Sequence, residues 1–209
     1  SSMSHELRSP LNAILGFAQL MASASPVPTD AQKENIAQIL QAGWHLLKLI
    51  NEILDLAVIE SGKVSLSPES VSLAEVMDEC QAMMEPEAQQ RGIRVTFPRF
   101  DAPFFVRADR TRLKQIVINL LSNALKYNRE LGSIVVGCTT STPGRTRISV
   151  RDTGAGLSPE KLAQLFQPFN RLGQEAGGVA GTGIGLVVTK RLAELMEGTL
   201  GVESTVGVG

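Results

Sequence analysis

His5 followed at once by Glu6 is the first place in this sequence where side-chain types could do chemistry. An imidazole can act as a nucleophile, and a neighbouring carboxylate can fix its tautomer and stabilise charge as the ring attacks an electrophile. A second set is Asn119, Asn123 and Lys126, about one helical turn apart. Amide oxygens suit a hard cation and an ammonium suits phosphate, so the trio fits a magnesium–triphosphate. A third is Asp152-Thr153-Gly154-Ala155-Gly156-Leu157. Its carboxylate can accept a hydrogen bond from an exocyclic amine such as that of adenine, and Gly154 and Gly156 let a flat base lie against the backbone. Phe169 and Arg171 close the run Leu165-Phe166-Gln167-Pro168-Phe169-Asn170-Arg171, where the arginine can reach a phosphate. Last comes Gly181-Thr182-Gly183-Ile184-Gly185-Leu186, leading into a helix whose amides and dipole can hold phosphate oxygens.

Each set taken alone also has a plainer reading. His5 could be a solvated surface histidine, and the Asn–Lys stripe an ordinary solvent face. The first glycine run could be a turn, the Phe169 segment a hydrophobic anchor for its loop, and the last run a flexible loop. The last run lacks the preceding strand and the spacing of a dinucleotide-binding motif. His45, the other histidine, shares a helix face with Gln38 and Glu52 and reads as solvated.

The elements that must position these groups fall into two halves. From Ser4 to about Glu60 the apolar period is near 3.5: Leu7, Leu11, Ile14, Ala18 and Met21, then Ile36, Leu40, Gly43, Leu47, Ile50, Leu54 and Ala57. Ile39, Leu46 and Ile53 widen the second stripe. The break at Ser25-Pro26-Val27-Pro28-Thr29-Asp30 makes a helical hairpin of the two. His5 lies opposite the Leu7–Leu11–Ile14 stripe, with Pro10 expected to bend the helix one turn on. A lone hairpin leaves that stripe half uncovered, so pairing with a second copy into a four-helix bundle is expected; packing on the rest of the same chain is the alternative.

Ser61-Gly62-Lys63 ends the second helix and Pro68 marks a linker. Beyond it we expect a helix from Val71 to Gln90, with Pro86 unsettling its last turn. Short strands are expected at Ile93–Phe97 and Phe104–Val106, and a helix from its cap Asp109 to about Asn128. A strand pair follows at Ser133–Thr139 and Arg145–Asp152, around Thr142-Pro143-Gly144. A helix from Ile184 to Glu197 and a final strand near Thr199–Glu203 complete an α+β two-layer sandwich. In the helix after Asp109, Asn119, Asn123 and Lys126 sit roughly 110° round from the apolar side of Leu113, Ile116, Val117 and Leu120.

Composition narrows the classes. Across 209 residues, 43% hydrophobic and 20% charged content is that of a globular protein. A net charge of −1 and 4% aromatics give no footprint for nucleic acid as a partner. Cys80 and Cys138 stand far apart without metal-ligand spacing and read as small apolar residues in a reducing compartment. With no run of about 20 apolar residues, a cytoplasmic location is expected for this region, and an anchor elsewhere in a parent protein stays open.

Ser4-His5-Glu6-Leu7-Arg8-Ser9-Pro10-Leu11-Asn12 resembles the phosphoacceptor box of histidine kinases. The four later segments resemble, in order, the N box, first glycine box, F box and second glycine box of their catalytic domain, which belongs to the ATPase superfamily shared with gyrase and mismatch-repair proteins. The resemblance covers essentially all of the chain. It implies two domains: an all-α hairpin over 1–62, forming a four-helix bundle as a dimer, and after a linker over 63–70 an α+β sandwich of the histidine-kinase ATPase type over 71–209. It implies that His5 takes the γ-phosphate of ATP, that Glu6 assists, and that Ser9 helps position water for phosphatase activity. It further implies that Asn123 is the principal magnesium ligand with Asn119 supporting, that Lys126 and Tyr127 line the nucleotide site, and that Asp152 reads adenine. The resemblance also implies that residues from about Thr153 to Ala180 form much of a lid over ATP. The partners it implies are a second copy, the receiver domain of a response regulator, and an upstream sensor domain in the full-length protein. Two departures stand out: few residues precede His5, and the chain stops at Gly207-Val208-Gly209, where the family continues a third glycine box. Competing readings are a non-catalytic signalling scaffold and an ATP-hydrolysing machine. Asn119 in place of a carboxylate argues against the latter, since an amide cannot act as a base toward water.

Overall fold

The computed structural model describes residues 2–62, 64–142, 144–170 and 181–209, without the side chains of residues 2–5 and 141. Two long helices open it, α1 (Ser2–Ala22) and α2 (Asp30–Glu60). The second starts with a reciprocal cap: Thr29 Oγ1 accepts the Gln32 N–H, and Gln32 Oε1 accepts the Thr29 N–H at 2.8 Å. The helices cross closely because position 43 is glycine. A Cβ there would lie 2.7 Å from Leu15 Cδ2, and Leu15 fills that notch at 2% exposure. Leu11, Ala18 and Ile36 are buried in the same seam. α1 runs unbroken through Pro10, where the sequence suggested a bend.

Between the hairpin and the second domain, the backbone enters β1 (Glu69–Ser72) and then α3 (Leu73–Gln90). The helix expected from Val71 therefore starts two residues later: Val71 pairs with Val106 in an antiparallel ladder with β3 (Phe105–Ala108), and Ser72 caps α3 through its hydroxyl. α3 continues through Pro86 to Gln90, because Cys80 and Ala88 on either side are locked into the core. β2 (Arg94–Thr96) lies parallel to β4 (Ser133–Thr142), which pairs antiparallel with β5 (Arg145–Asp152). Helix α4 (Arg110–Lys126) is capped by Asp109, whose Oδ1 accepts the Arg112 N–H at 3.0 Å. Short α5 (Pro159–Ala163) and α6 (Gly185–Leu195) complete the elements. No strand forms near Thr199–Glu203; that segment is irregular and pairs with no neighbour in either sheet.

Strands and helices form two layers around one core. Leu73, Val76, Met77 and Cys80 of α3 meet Val117, Leu121 and Leu125 of α4 and Ile134 of β4, all at 2% exposure or less. Each such buried aliphatic contributes about 1.5–3 kcal/mol relative to exposure. A second, smaller cluster joins the halves: Leu56 and Ile59 of α2 pack on Ile184, Val188 and Leu192 at the start and along one face of α6. Among the described residues, no helix is long and apolar enough to cross a membrane.

Candidate functional site

α4 turns Leu113, Val117, Leu121, Ala124 and Leu125 into the core, and that orientation brings Asn119, Asn123 and Lys126 to its half-buried edge. Asn119 is held from the other side. Its Nδ2 donates to Thr189 Oγ1 of α6 at 2.6 Å, and Thr189 is 2% exposed. With the amide nitrogen engaged, Asn119 Oδ1 faces position 185, where a Cβ would stand 2.6 Å away. Gly185 therefore leaves the space in which that oxygen stands. Gly181 has the same relation to Lys126, whose Nζ occupies the place a Cβ would take. That ammonium also lies 4.7 Å from the centroid of the Tyr127 ring.

β5 ends at Asp152, whose Oδ1 accepts the Gly154 N–H at 2.8 Å. Gly154 is buried against the end of α4: a Cβ there would meet the Tyr127 carbonyl oxygen at 2.5 Å. Thr153 secures this junction, accepting the Ser133 N–H at 2.9 Å and donating to Asn128 Oδ1 at 3.1 Å. Gly156 adopts φ +68° against the Thr205 carbonyl, a conformation and a closeness that a side chain would oppose.

Phe169 and Gly183 meet backbone to backbone. The Phe169 N–H donates to the Gly183 carbonyl at 3.2 Å, and both residues have positive φ, +63° and +73°. The ring of Phe169 is exposed. Thr182 is buried at 9% exposure; its hydroxyl donates to the Glu52 carboxylate of α2 and accepts the Ile184 N–H at 3.3 Å. Gly185 and Leu186 begin α6, whose N-terminus carries no side-chain cap, which suits it to an anionic ligand.

The structure thus brings together Asn119, Lys126, Tyr127, Gly181 and Gly185, with Asn123 on the same edge of α4, and sets Asp152 and Gly154 beside Tyr127, while Gly156 packs on Thr205. Arg171 and the part of the expected lid from 171 to 180 lie outside the described residues. His5, Glu6 and Ser9 stand on the first turns of α1, in the other domain, with Glu6 and Ser9 exposed and the His5 side chain outside the description. Sequence reasoning missed Thr189, Asn128, Thr153 and Glu52. A threonine alone in the apolar face of α6 was the one available signal for Thr189. Glu52 had been placed on a solvated face with His45, yet it is the face that docks on the nucleotide-binding half.

Two family models match the chain. Residues 1–62 match the His Kinase A (phospho-acceptor) domain, and residues 108–209 match the Histidine kinase-, DNA gyrase B-, and HSP90-like ATPase. The sensor protein GacS of Pseudomonas syringae pv. syringae is 40% identical over 100% of this chain and 23% of its own length. The virulence sensor protein BvgS of Bordetella bronchiseptica is 38% identical over 100% of the chain and 17% of its own. The chain thus spans about a quarter or less of these relatives. Among solved structures, full-length ShkA in complex with AMPPNP superposes with a TM-score of 0.83 at 32% identity, covering 99% of this chain and 42% of that one. The Acinetobacter baumannii histidine kinase AdeS shares the fold, with a TM-score of 0.68 at 22% identity over 97% of this chain and 92% of its own.

Proposed function

Because the chain belongs to the sensor histidine kinases, joining their phosphoacceptor hairpin to their ATPase domain, we propose that it transfers the γ-phosphate of ATP to His5 and then to an aspartate of a response regulator receiver domain. The observation that carries the reading is the fit of α4 to the second glycine run. Asn119 Oδ1 and Lys126 Nζ occupy the positions that side chains at 185 and 181 would fill, which aims an amide oxygen and an ammonium at the glycine loop before the uncapped start of α6.

In this reading Lys126 and the amides from Gly181 to Leu186 hold phosphate oxygens, with Arg171 as a further phosphate contact. Asp152 takes the adenine amine, and Gly154 and Gly156 let the base approach. Tyr127 and Phe169 close the sides of the pocket. The neutral, half-buried amides of Asn123 and Asn119 fit magnesium, a hard cation that keeps water and phosphate oxygens as most of its ligands. The metal, when bound, supplies charge neutralisation to the triphosphate. A ring nitrogen of His5 attacks the γ-phosphorus in line, the bond to the β–γ bridging oxygen breaks, and ADP leaves with that electron pair. Glu6 orients the ring and stabilises the charge that develops on it. The phosphoryl group then passes to the receiver carboxylate, and Ser9 serves water-dependent removal of phosphate from the same partner. The exposed apolar residues Leu7, Ile14 and Met21 of α1 and Ile39, Leu46 and Ile53 of α2 support a homodimeric four-helix bundle.

Incubation with γ-labelled ATP and magnesium tests the reading. Label that is stable to alkali, lost in acid and absent from His5→Ala is expected. An unlabelled parent chain that still binds ATP would favour a scaffold instead.

A further inference from the structure

We infer that Glu52, on the phosphoacceptor hairpin, is a positioning residue for the second glycine loop and disfavours the triphosphate while the two domains are docked. The inference rests on the ATP site proposed above and concerns its regulation. Thr182 is buried, and a hydroxyl has one proton to donate. That proton goes to the Glu52 carboxylate, while the same oxygen accepts the Ile184 N–H at 3.3 Å. The loop between Gly181 and Ile184 is thereby tied to α2.

Packing fixes the stretch of α2 that carries this carboxylate. Leu56 and Ile59, one and two turns further on, are locked against Ile184, Val188 and Leu192. Asp55 accepts a hydrogen bond from Gln115 Nε2 of α4 at 3.1 Å. The Glu52 side chain is 18% exposed, and its ion-pair partner among the described residues, Lys48, stands 3.9 Å from the other carboxylate oxygen with a side chain 60% exposed. A cation so open to water offsets little of that charge. The same six-residue loop carries Gly181 against Lys126 and Gly185 against Asn119, so a fixed negative charge stands beside the amides that would receive phosphate oxygens. Repulsion from it grows with the number of phosphates and vanishes for a nucleoside. By linkage, whatever docking costs ATP binding, ATP binding costs docking, so the triphosphate loosens α2 from α6.

Calorimetric titration of ATP, ADP and adenosine, each with magnesium, into the parent chain, Glu52→Gln and Glu34→Gln tests this. Glutamine removes the charge but keeps an acceptor for Thr182, and Glu34 is an exposed carboxylate on the same helix. In Glu52→Gln, ATP should tighten about five- to tenfold and ADP by less, with adenosine within about twofold. Glu34→Gln should match the parent chain for all three ligands. A merely structural role for Glu52 would move all three ligands alike. That result, or unchanged or weaker ATP binding in Glu52→Gln, overturns the inference while leaving the ATP site standing. No binding of any nucleotide to the parent chain overturns both.

Discussion

Replacing Thr189 in two ways should separate stability from metal response. Thr189 is 2% exposed and its side-chain partner in the site, among the described residues, is Asn119, whose amide nitrogen reaches it at 2.6 Å. Thr189→Val keeps the shape and deletes the acceptor. The net loss of that hydrogen bond is about 1 kcal/mol, the lower end of the range for a stranded donor, since Asn119 is only half buried. Thr189→Ser keeps the acceptor and deletes a buried methyl, also about 1 kcal/mol. Both variants should therefore melt roughly 2–4 °C below the parent chain. Their metal responses should differ. In the valine variant Asn119 is free to turn its oxygen away from the space left by Gly185, and loosening a residue that orients a ligand costs roughly tenfold or more in metal affinity. The assay is the ratio of ATP affinities with and without magnesium, beside thermal unfolding. A collapse of that ratio in Thr189→Val but not in Thr189→Ser is expected. An unchanged ratio in the valine variant, with the ratio lost in Asn119→Ala, would show that Thr189 does not set Asn119 and would refute the argument.

Asp109 should make an acid-sensitive contribution to stability. Backbone N–H groups of Ser67 and Arg112 hold its carboxyl below the usual carboxylate range, so the stabilisation is complete above an ordinary carboxyl pKa near 4 and fades as pH falls through the lowered folded value. Asp109→Ala should cost about 1 kcal/mol in urea unfolding at pH 7, and its deficit should shrink toward zero as the pH is lowered through that range. Ile14→Asp should convert the proposed dimer into a monomer with little change in the fold, because Ile14 is already 54% exposed in the single chain. Two symmetric copies of a lost aliphatic contact raise the dissociation constant roughly a hundredfold, which sedimentation would read directly.

Much of this molecule was legible in the chain because its signals are local. A period near 3.5 marks the hairpin, Asp109 starts its helix through its own carboxylate, and the alternation along Arg145–Asp152 announces a strand with one wet face. The order of chemical motifs likewise singled out Asn119, Lys126, Asp152 and the glycines as candidates for one nucleotide site, since residue type and spacing are enough to state what a site could hold. Where partners lie far apart in sequence, the chain was silent. β1 is four residues long, too short for a period, and exists because β3 pairs with it. Thr199–Glu203 carries the β-branched Thr199 and Val202 and stays irregular for want of a neighbour. Pro86 reads as unsettling the last turn of α3, and the helix runs on to Gln90 with Cys80 and Ala88 buried on either side. Thr189 and Glu52 look like an ordinary threonine and an ordinary surface carboxylate. Their meaning depends on a partner 70 positions away for one and 130 for the other, distances across which only the packed core brings groups together.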